Sequence, residues 1–456
     1  MITAQNVFIG FGKAAKTLAG ALANRGESVI MIEASDKMYG GTCINVACIP
    51  TKTLLTSSQN NRLGDAQENY RSAIVNKNDV TGTLRSSNLH KLSDKATVTV
   101  LNGWAEFEAP KQLKVTYQNG KVDQISGERI FINTGSTPII PEISGGLATS
   151  PFMQTSETLM DQRRLPKHLA IVGGGYIGLE FASIYANFGS QVTIIDAGKQ
   201  FMARDERELA MAVQRDMAAK GVEFELNAQV TQVINQVGEA KIEFNQDGQQ
   251  RTITADTILV ATGRKANIAK LGLDKAGGIA TNQRGGIIVD DHLRTNVDNI
   301  WAMGGDVRGG GAQFTYISLD DYRIVLDQLV GDGKRTLAEQ ELVPHVVFLN
   351  TPVATIGLNE EQAKNQQIAY QVGKLATTAV PKAHVLGNTT GYLKVLVDPA
   401  NHEILGATLY CIEAQELINM ISLAMHQHLP YEVLRDQIYS HPTMTEAFND
   451  LFGTIK

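Results

Sequence analysis

One pattern occurs twice, 163 residues apart, and it restricts the fold more than anything else in the chain. The first copy runs from the apolar strand Val7-Phe8-Ile9 into Gly10-Phe11-Gly12-Lys13-Ala14-Ala15, then a helical stretch to Ala23 and a second strand over residues 28–33. The second runs from residues 169–172 into Gly173-Gly174-Gly175-Tyr176-Ile177-Gly178, a helix reaching Phe188, and a strand ending at Asp196. Strand, G-x-G-x-x-A/G turn, helix, strand and terminal acid, in that order, describe the βαβ unit that binds a dinucleotide. Gly10 permits the tight turn, Gly12 lets a pyrophosphate approach the backbone, and Ala15 lets helix and strand pack closely. The amides at the helix N-terminus then hold phosphate. Gly173, Gly175 and Gly178 are the counterparts. Glu33 and Asp196 are placed to accept a hydrogen bond from a ribose hydroxyl. Two copies predict two dinucleotides, or one and a degenerate copy; the acid kept in both favours two working sites. Asp196 suits a free 2′-hydroxyl and repels a 2′-phosphate, so NADH is expected, with Lys199 and Arg204 leaving NADPH possible.

Between the copies lies Gly40-Gly41-Thr42-Cys43-Ile44-Asn45-Val46-Ala47-Cys48-Ile49-Pro50-Thr51-Lys52, with two of the chain's 3 cysteines. A five-residue step on a regular helix rises about 7.5 Å, beyond the roughly 7 Å that a disulfide spans between Cα atoms. If Cys43 and Cys48 bond to each other, the backbone between them must leave the helix. Pro50 suits a first helical position, which sets Cys48 just ahead of a helix N-terminus that favours its thiolate. Lys52 adds a full charge nearby. The competing reading is two buried structural cysteines that never meet.

The 456 residues suggest about three domains at roughly 150 residues each. A formal charge of −6 disfavours nucleic acid and anionic membranes as partners. Three cysteines make no extracellular framework, and the first residues enter Asn6-Val7-Phe8 without a leader-like block, so a cytoplasmic location is expected. No histidine has metal spacing to a cysteine, so no metal site is expected. Residues 53–92 read as helical and polar, and strands are expected at 97–101, 104–108, 113–117 and 129–132. The last strand leads into a small-residue turn, Asn133-Thr134-Gly135-Ser136-Thr137-Pro138, paralleled later by Ala261-Thr262-Gly263. In Gly304-Gly305-Asp306 the carboxylate can meet a polyol hydroxyl or simply close a turn. Residues 313–329 read as an amphipathic helix. The segment after about 343 mixes strands and helices and ends in Ser440-His441-Pro442-Thr443-Met444-Thr445-Glu446, where His441 and Glu446 can form an oriented acid–base pair. Cys411 reads as structural.

On these residues the chain resembles the FAD-dependent pyridine nucleotide–disulfide oxidoreductases, the glutathione reductase and dihydrolipoyl dehydrogenase family, over essentially its full length. Within that family it is similar to the bacterial reactive-chlorine-resistance flavoproteins, also described as hypothiocyanous acid and copper(II) reductases. Met38 to Asn45, Gln313 to Val325 and Leu434 to Ile438 carry that likeness. One departure is the glycine-rich Gly304-Gly305-Asp306 and Gly309-Gly310-Gly311.

The resemblance implies an α/β fold with two Rossmann-like domains, for FAD and NAD(P)H, and a C-terminal α+β dimerisation domain. The boundaries expected are 1–145 and 264–342 for the split FAD domain, 146–263 for NAD(P)H, and 343–456 for the interface. It implies that Gly10, Gly12, Ala15, Glu33, Gly41, Thr42, Thr134, Gly135 and Asp306 serve FAD. Gly173, Gly175, Tyr176, Gly178, Glu180, Asp196 and Gly263 would serve NAD(P)H, with Tyr176 gating the nicotinamide. Electrons would reach a Cys43–Cys48 disulfide; Cys48 would be the flavin-facing charge-transfer thiolate and Cys43 the thiol that attacks substrate. Lys52 would pair with Glu180, and His441 and Glu446 would come from the other subunit of a homodimer. The implied substrate is a small oxidant such as hypothiocyanous acid, or copper(II), in oxidative-stress defence. Dihydrolipoyl dehydrogenase is the nearest rival. Glutathione-type and mercuric reductases follow, the latter usually with a further vicinal cysteine pair near its C-terminus. A nucleotide-binding regulatory protein on the same fold is the non-enzymatic alternative.

Overall fold

The computed structural model describes residues 1–60 and 64–455. Its first strand, β1 (Ile2–Ile9), has its inner half buried on both faces, as expected of a parallel strand covered from both sides. Helix α1 (Lys13–Asn24) buries Ala14, Ala15, Leu18, Ala19 and Leu22 along one stripe and leads to β2 (Val29–Glu33), parallel to β1. Then come α2 (Thr42–Asn45), α3 (Cys48–Gln59) and α4 (Ala66–Ser93). The predicted helical stretch 53–92 is therefore two helices, and its residues 61–63 lie outside the described residues. Strands β3 (Val98–Asn102), β4 (Trp104–Ala109), β5 (Gln112–Thr116) and β6 (Val122–Ile132) complete a sheet ordered β3-β2-β1-β6-β5-β4.

Residues 136–138, read as a turn, form the short strand β7 (Ser136–Pro138) instead. The Arg264 guanidinium binds the Ser136 carbonyl at 2.7 Å and hydroxyl at 2.8 Å, which holds a later strand against it. The second unit consists of β8 (Met153–Thr155), β9 (His168–Val172), α5 (Tyr176–Phe188), β10 (Gln191–Ile195), α6 (Arg207–Ala218) and β11 (Val222–Glu225). An antiparallel trio follows, β12 (Ala228–Asn235), β13 (Ala240–Gln246) and β14 (Gln249–Ala255), then β15 (Thr257–Val260). The parallel sheet is ordered β11-β10-β9-β15-β8.

The two copies share more than sequence. Gly10 N donates to Ile32 O at 2.8 Å and Gly173 N to Ile195 O at 2.9 Å. Phe11 N donates to the Glu33 carboxylate at 2.9 Å, and Gly174 N to that of Asp196 at 2.7 Å. Each terminal acid clasps the second residue of its own glycine turn.

After residue 263 the chain returns to the first unit. Strand β16 (Arg264–Ala266) pairs with β7, β17 (Ile300–Ala302) runs parallel to β6, and α7 (Thr315–Val330) packs on α1. The C-terminal layer holds β18 (His345–Val347), β19 (Val353–Gly357), α8 (Glu360–Asn365), β20 (Gln371–Ala376), α9 (Pro381–Val385), β21 (Tyr392–Val397), β22 (Ile404–Tyr410) and helices α10 (Ala414–His426), α11 (Glu432–Arg435) and α12 (Ala447–Gly453). Its sheet, β18-β19-β22-β21-β20, is antiparallel.

Every residue of β21 is buried, Lys394 included. Its ammonium lies 2.6 Å from Glu206 and also meets Glu360. Burial works against that charge, but its hydrogen bonds to Glu206 and Glu360 prevail and its pKa is raised. Glu206 precedes α6, so this ion cluster ties the second unit to the C-terminal sheet.

Candidate active site

A cavity of about 2060 Å³ runs from the first glycine turn to the second. A pocket for one small molecule takes about 300–1,000 Å³, so this space suits two large ligands end to end. The Cys43–Cys48 stretch forms its wall where the two halves meet.

The bend required between those cysteines is present. Helix α2 stops at Asn45, Val46 and Ala47 leave helical geometry at φ −140° and −141°, and α3 starts afresh. Its first residue is Cys48, with Pro50 third, so the helix begins two positions earlier than the proline suggested. Pro50 still costs nothing there, because first-turn amides have no partner inside a helix. Cys48 Sγ lies 3.7 Å from Thr315 Oγ1 at the start of α7.

The two thiols act on each other's ionisation. The hydrogen bond from Cys48 lowers Cys43 to about 6; burial opposes this, while Thr315, Lys16 and Lys52 assist. The same bond, with burial, pushes Cys48 well up. The hydrogen bond between the thiols favours ionisation of Cys43 over Cys48, whereas the helix N-terminus favours a Cys48 thiolate.

Lys52 Nζ meets Glu180 at 2.6 Å and lies 4.6 Å above the Phe348 ring. The other Glu180 oxygen accepts Phe348 N at 3.1 Å, so helices α3 and α5 and the residue that follows strand β18 are drawn together near Cys48.

The first unit fits a bound dinucleotide. Gly10, Gly12, Glu33, Gly41, Thr42, Thr134, Gly135 and Asp306 all line the cavity. Thr134 Oγ1 is buried with no protein partner, the kind of polar atom that a ligand satisfies. Burial raises Glu33 to about 7. Asp306 accepts Ser136 Oγ at 3.0 Å, and burial raises it too. Gly41, at φ +80°, must be glycine: a Cβ there would stand 2.7 Å from Gly12 Cα. At Gly12 the space of a missing side chain is taken by Asn133, whose Oδ1 would lie 2.3 Å from a Cβ. Ala15 backs the turn from α1, its amide on Asn133 Oδ1 at 3.2 Å.

In the second unit Gly173, Gly175, Tyr176, Glu180, Asp196 and Gly263 line the cavity, and Gly178 packs behind. A Cβ at Gly175 would meet nothing within 4 Å, which leaves its backbone open to a ligand. The Tyr176 hydroxyl donates to Asp205 at 3.2 Å. Arg204 reaches this wall and Lys199 does not.

His441 and Glu446 form the predicted pair, Nδ1 to Oε2 at 2.8 Å, and the histidine lowers the Glu446 pKa. Neither lines the cavity, and the His441 side chain is 69% exposed. One chain does not bring them to the thiols. Cys411 is buried, its thiol pushed up to about 12 by that burial. Thr315, Lys16 and His345 were not anticipated. His345 lines the cavity, its ring 5.0 Å from Phe314, and burial lowers its pKa. No spacing connects residues 267 positions apart, as Cys48 and Thr315 are. Among the described residues no group of three or more His, Cys, Asp or Glu is placed to hold a metal, and no helix is long and apolar enough to cross a membrane.

A family model described as pyridine nucleotide-disulphide oxidoreductase matches residues 4–320, and its dimerisation-domain companion matches residues 343–452. The chain is 45% identical over 452 residues to a probable pyridine nucleotide-disulfide oxidoreductase, RclA, of Escherichia coli K12, covering 99% of each. It is 32% identical to a mercuric reductase of Lysinibacillus sphaericus, covering 97% of this chain and 80% of that one. Its structure matches a copper(II) complex of the HOCl-induced flavoprotein disulfide reductase RclA from Escherichia coli with a TM-score of 0.95, at 44% identity, covering 100% of both chains.

Proposed function

The chain belongs to the pyridine nucleotide-disulphide oxidoreductases, enzymes that use FAD and NAD(P)H, and from that premise we propose that it reduces hypothiocyanous acid at Cys43 and Cys48 in cytoplasmic defence against oxidants. The observation that carries this reading is a pair of cysteines on the cavity wall between two dinucleotide turns, with the Cys43 thiol lowered to about 6 by its hydrogen bond with Cys48. A thiolate favoured at neutral pH is the nucleophile that a sulfenyl electrophile requires.

The Cys43 thiolate attacks the sulfur of hypothiocyanous acid, forming an S–S bond to thiocyanate. The hydroxide expelled takes the Cys48 proton and leaves as water. Cys48, now a thiolate, attacks the Cys43 sulfur, releases thiocyanate and closes the disulfide. The chemistry that FAD supplies when bound is the relay of two electrons from NAD(P)H to that disulfide. Gly10, Gly12, Glu33, Gly41, Thr42, Thr134, Gly135 and Asp306 would hold it, in a domain of residues 1–145 and 264–342. Gly173, Gly175, Tyr176, Asp196 and Gly263 would hold the nicotinamide dinucleotide in residues 146–263. Lys52 and Glu180 fix α3 against α5, which keeps Cys48 in register with the nicotinamide side. His441, oriented by Glu446, would act across a homodimer interface built by residues 343–456, protonating the thiolate that departs when the disulfide opens.

NADH oxidation by the holoenzyme, measured against hypothiocyanite, lipoamide, glutathione disulfide, copper(II) and mercury(II), tests the substrate. Hypothiocyanite should give the highest kcat/KM, and Cys43→Ser should abolish it; turnover that survives Cys43→Ser would overturn the proposal. Copper(II) reduction is the second reading, favoured by the copper(II) complex of the 44%-identical relative.

A further inference from the structure

One hydrogen bond on the cavity wall takes no part in the reaction above. The Tyr176 hydroxyl, at the first turn of α5, donates to the Asp205 carboxylate, 3.2 Å from one oxygen and 3.4 Å from the other. Both residues line the cavity and both are half-buried. Among the described residues this hydroxyl is the one hydrogen-bond partner of that carboxylate. Burial, with the charge of Asp205, pushes the Tyr176 hydroxyl up to about 12, so at neutral pH it keeps the proton it donates.

The two ends of this bond differ in freedom. Asp205 is fixed: its amide donates to Met202 O at 3.0 Å, and the Arg207 guanidinium holds the carbonyls of Asp205 and Phe201, each at 3.0 Å. The next residue, Glu206, is buried and tied to Lys394 of the C-terminal sheet at 2.6 Å. Tyr176 needs only a side-chain torsion to swing away. It precedes Glu180 by one helical turn, so the two share a face of α5. Tyr176 therefore lies between the Gly173–Gly175 turn and the Lys52–Glu180 pair near Cys48. A molecule anchored at that turn and extending toward the thiols meets its ring.

We infer that Asp205 is a positioning residue that latches Tyr176 across the second dinucleotide site: a nucleotide reaching from the turn toward the thiols must break the bond, and one confined to the turn and Asp196 need not. The inference rests on the reading of Gly173 to Asp196 as the nicotinamide-dinucleotide site. Because Asp205 cannot follow the ring, the bond is lost rather than moved, and a half-buried carboxylate is left without its donor.

The test is calorimetric titration of the oxidised holoenzyme with NAD⁺ and with ADP-ribose, which keeps the adenosine and pyrophosphate and lacks the nicotinamide. Asp205→Ala should tighten NAD⁺ about tenfold and leave ADP-ribose within about twofold. Tyr176→Phe should do the same, and the double variant should gain no more than either single one, because both remove one bond. Asp205→Asn keeps an acceptor and should stay within about threefold of the unmodified protein. An aspartate that only braced its loop would, when removed, weaken both ligands together. That result, or an NAD⁺-to-ADP-ribose affinity ratio unmoved by Tyr176→Phe, overturns the latch; the tyrosine variant decides the matter even if Asp205→Ala does not fold. If ADP-ribose binds and the ratio does not move, the latch alone fails. If neither nucleotide binds the unmodified holoenzyme, the nucleotide-site reading fails and the latch with it.

Discussion

Cys48 supplies the largest single influence on its neighbour, and removing it isolates that influence. In the intact dithiol the Cys43 thiolate, the reactive form, is present above about pH 6 and is lost as pH falls through that value. Cys48→Ala deletes the donor, so the alkylation midpoint of Cys43 should rise toward the ordinary thiol value of about 8.5; the iodoacetamide rate followed against pH reads it directly. Lys52 offers a second prediction. Glu180→Ala leaves its ammonium beside Phe348 with no carboxylate. A fully buried pair broken this way costs about 3–5 kcal/mol, and with Lys52 still 28% exposed the loss should be about 1–2 kcal/mol in urea unfolding.

Among the elements, the contact between the thiol loop and the first glycine turn is the tightest constraint. Gly41→Ala should force those backbones apart and yield protein that purifies with little flavin, which the ratio of visible to ultraviolet absorbance shows. The glycine turns and their flanking strands were legible because apolar runs and turn chemistry agree there. The start of α3 was displaced by two residues, since a proline is tolerated anywhere in a first turn. Of strands β12 to β14, β14 exposes most of its residues and so lacks the alternation that marks a half-buried strand, whereas β13 alternates cleanly at Ala240, Ile242 and Phe244 and was legible though unread. Asn133, which fills the space at Gly12 and meets Ala15, could not be assigned from spacing, being more than a hundred residues away.

At the scale of the whole molecule, two long-range arrangements matter. Lys394 was invisible as a junction because a lysine in an apolar strand reads as an exposed edge. Lys394→Met would leave Glu206 without a cation, Glu360 keeping Lys364, and should cost about 3–5 kcal/mol, seen as a lower melting temperature. His441 and Glu446 were readable as a pair, and their distance from the thiols within one chain was not. If they act across subunits, refolding Cys43→Ser with His441→Ala in equal amounts should restore about a quarter of full activity, because each mixed dimer keeps one intact site. Residues acting within one chain would restore none. The clasp repeated in both halves, where Glu33 and Asp196 already hold their own turns, has a thermodynamic consequence. An incoming nucleotide meets a receptor whose shape is settled beforehand, so little of its affinity is consumed in ordering the protein. Loosening either clasp should weaken nucleotide retention while leaving every direct contact in place.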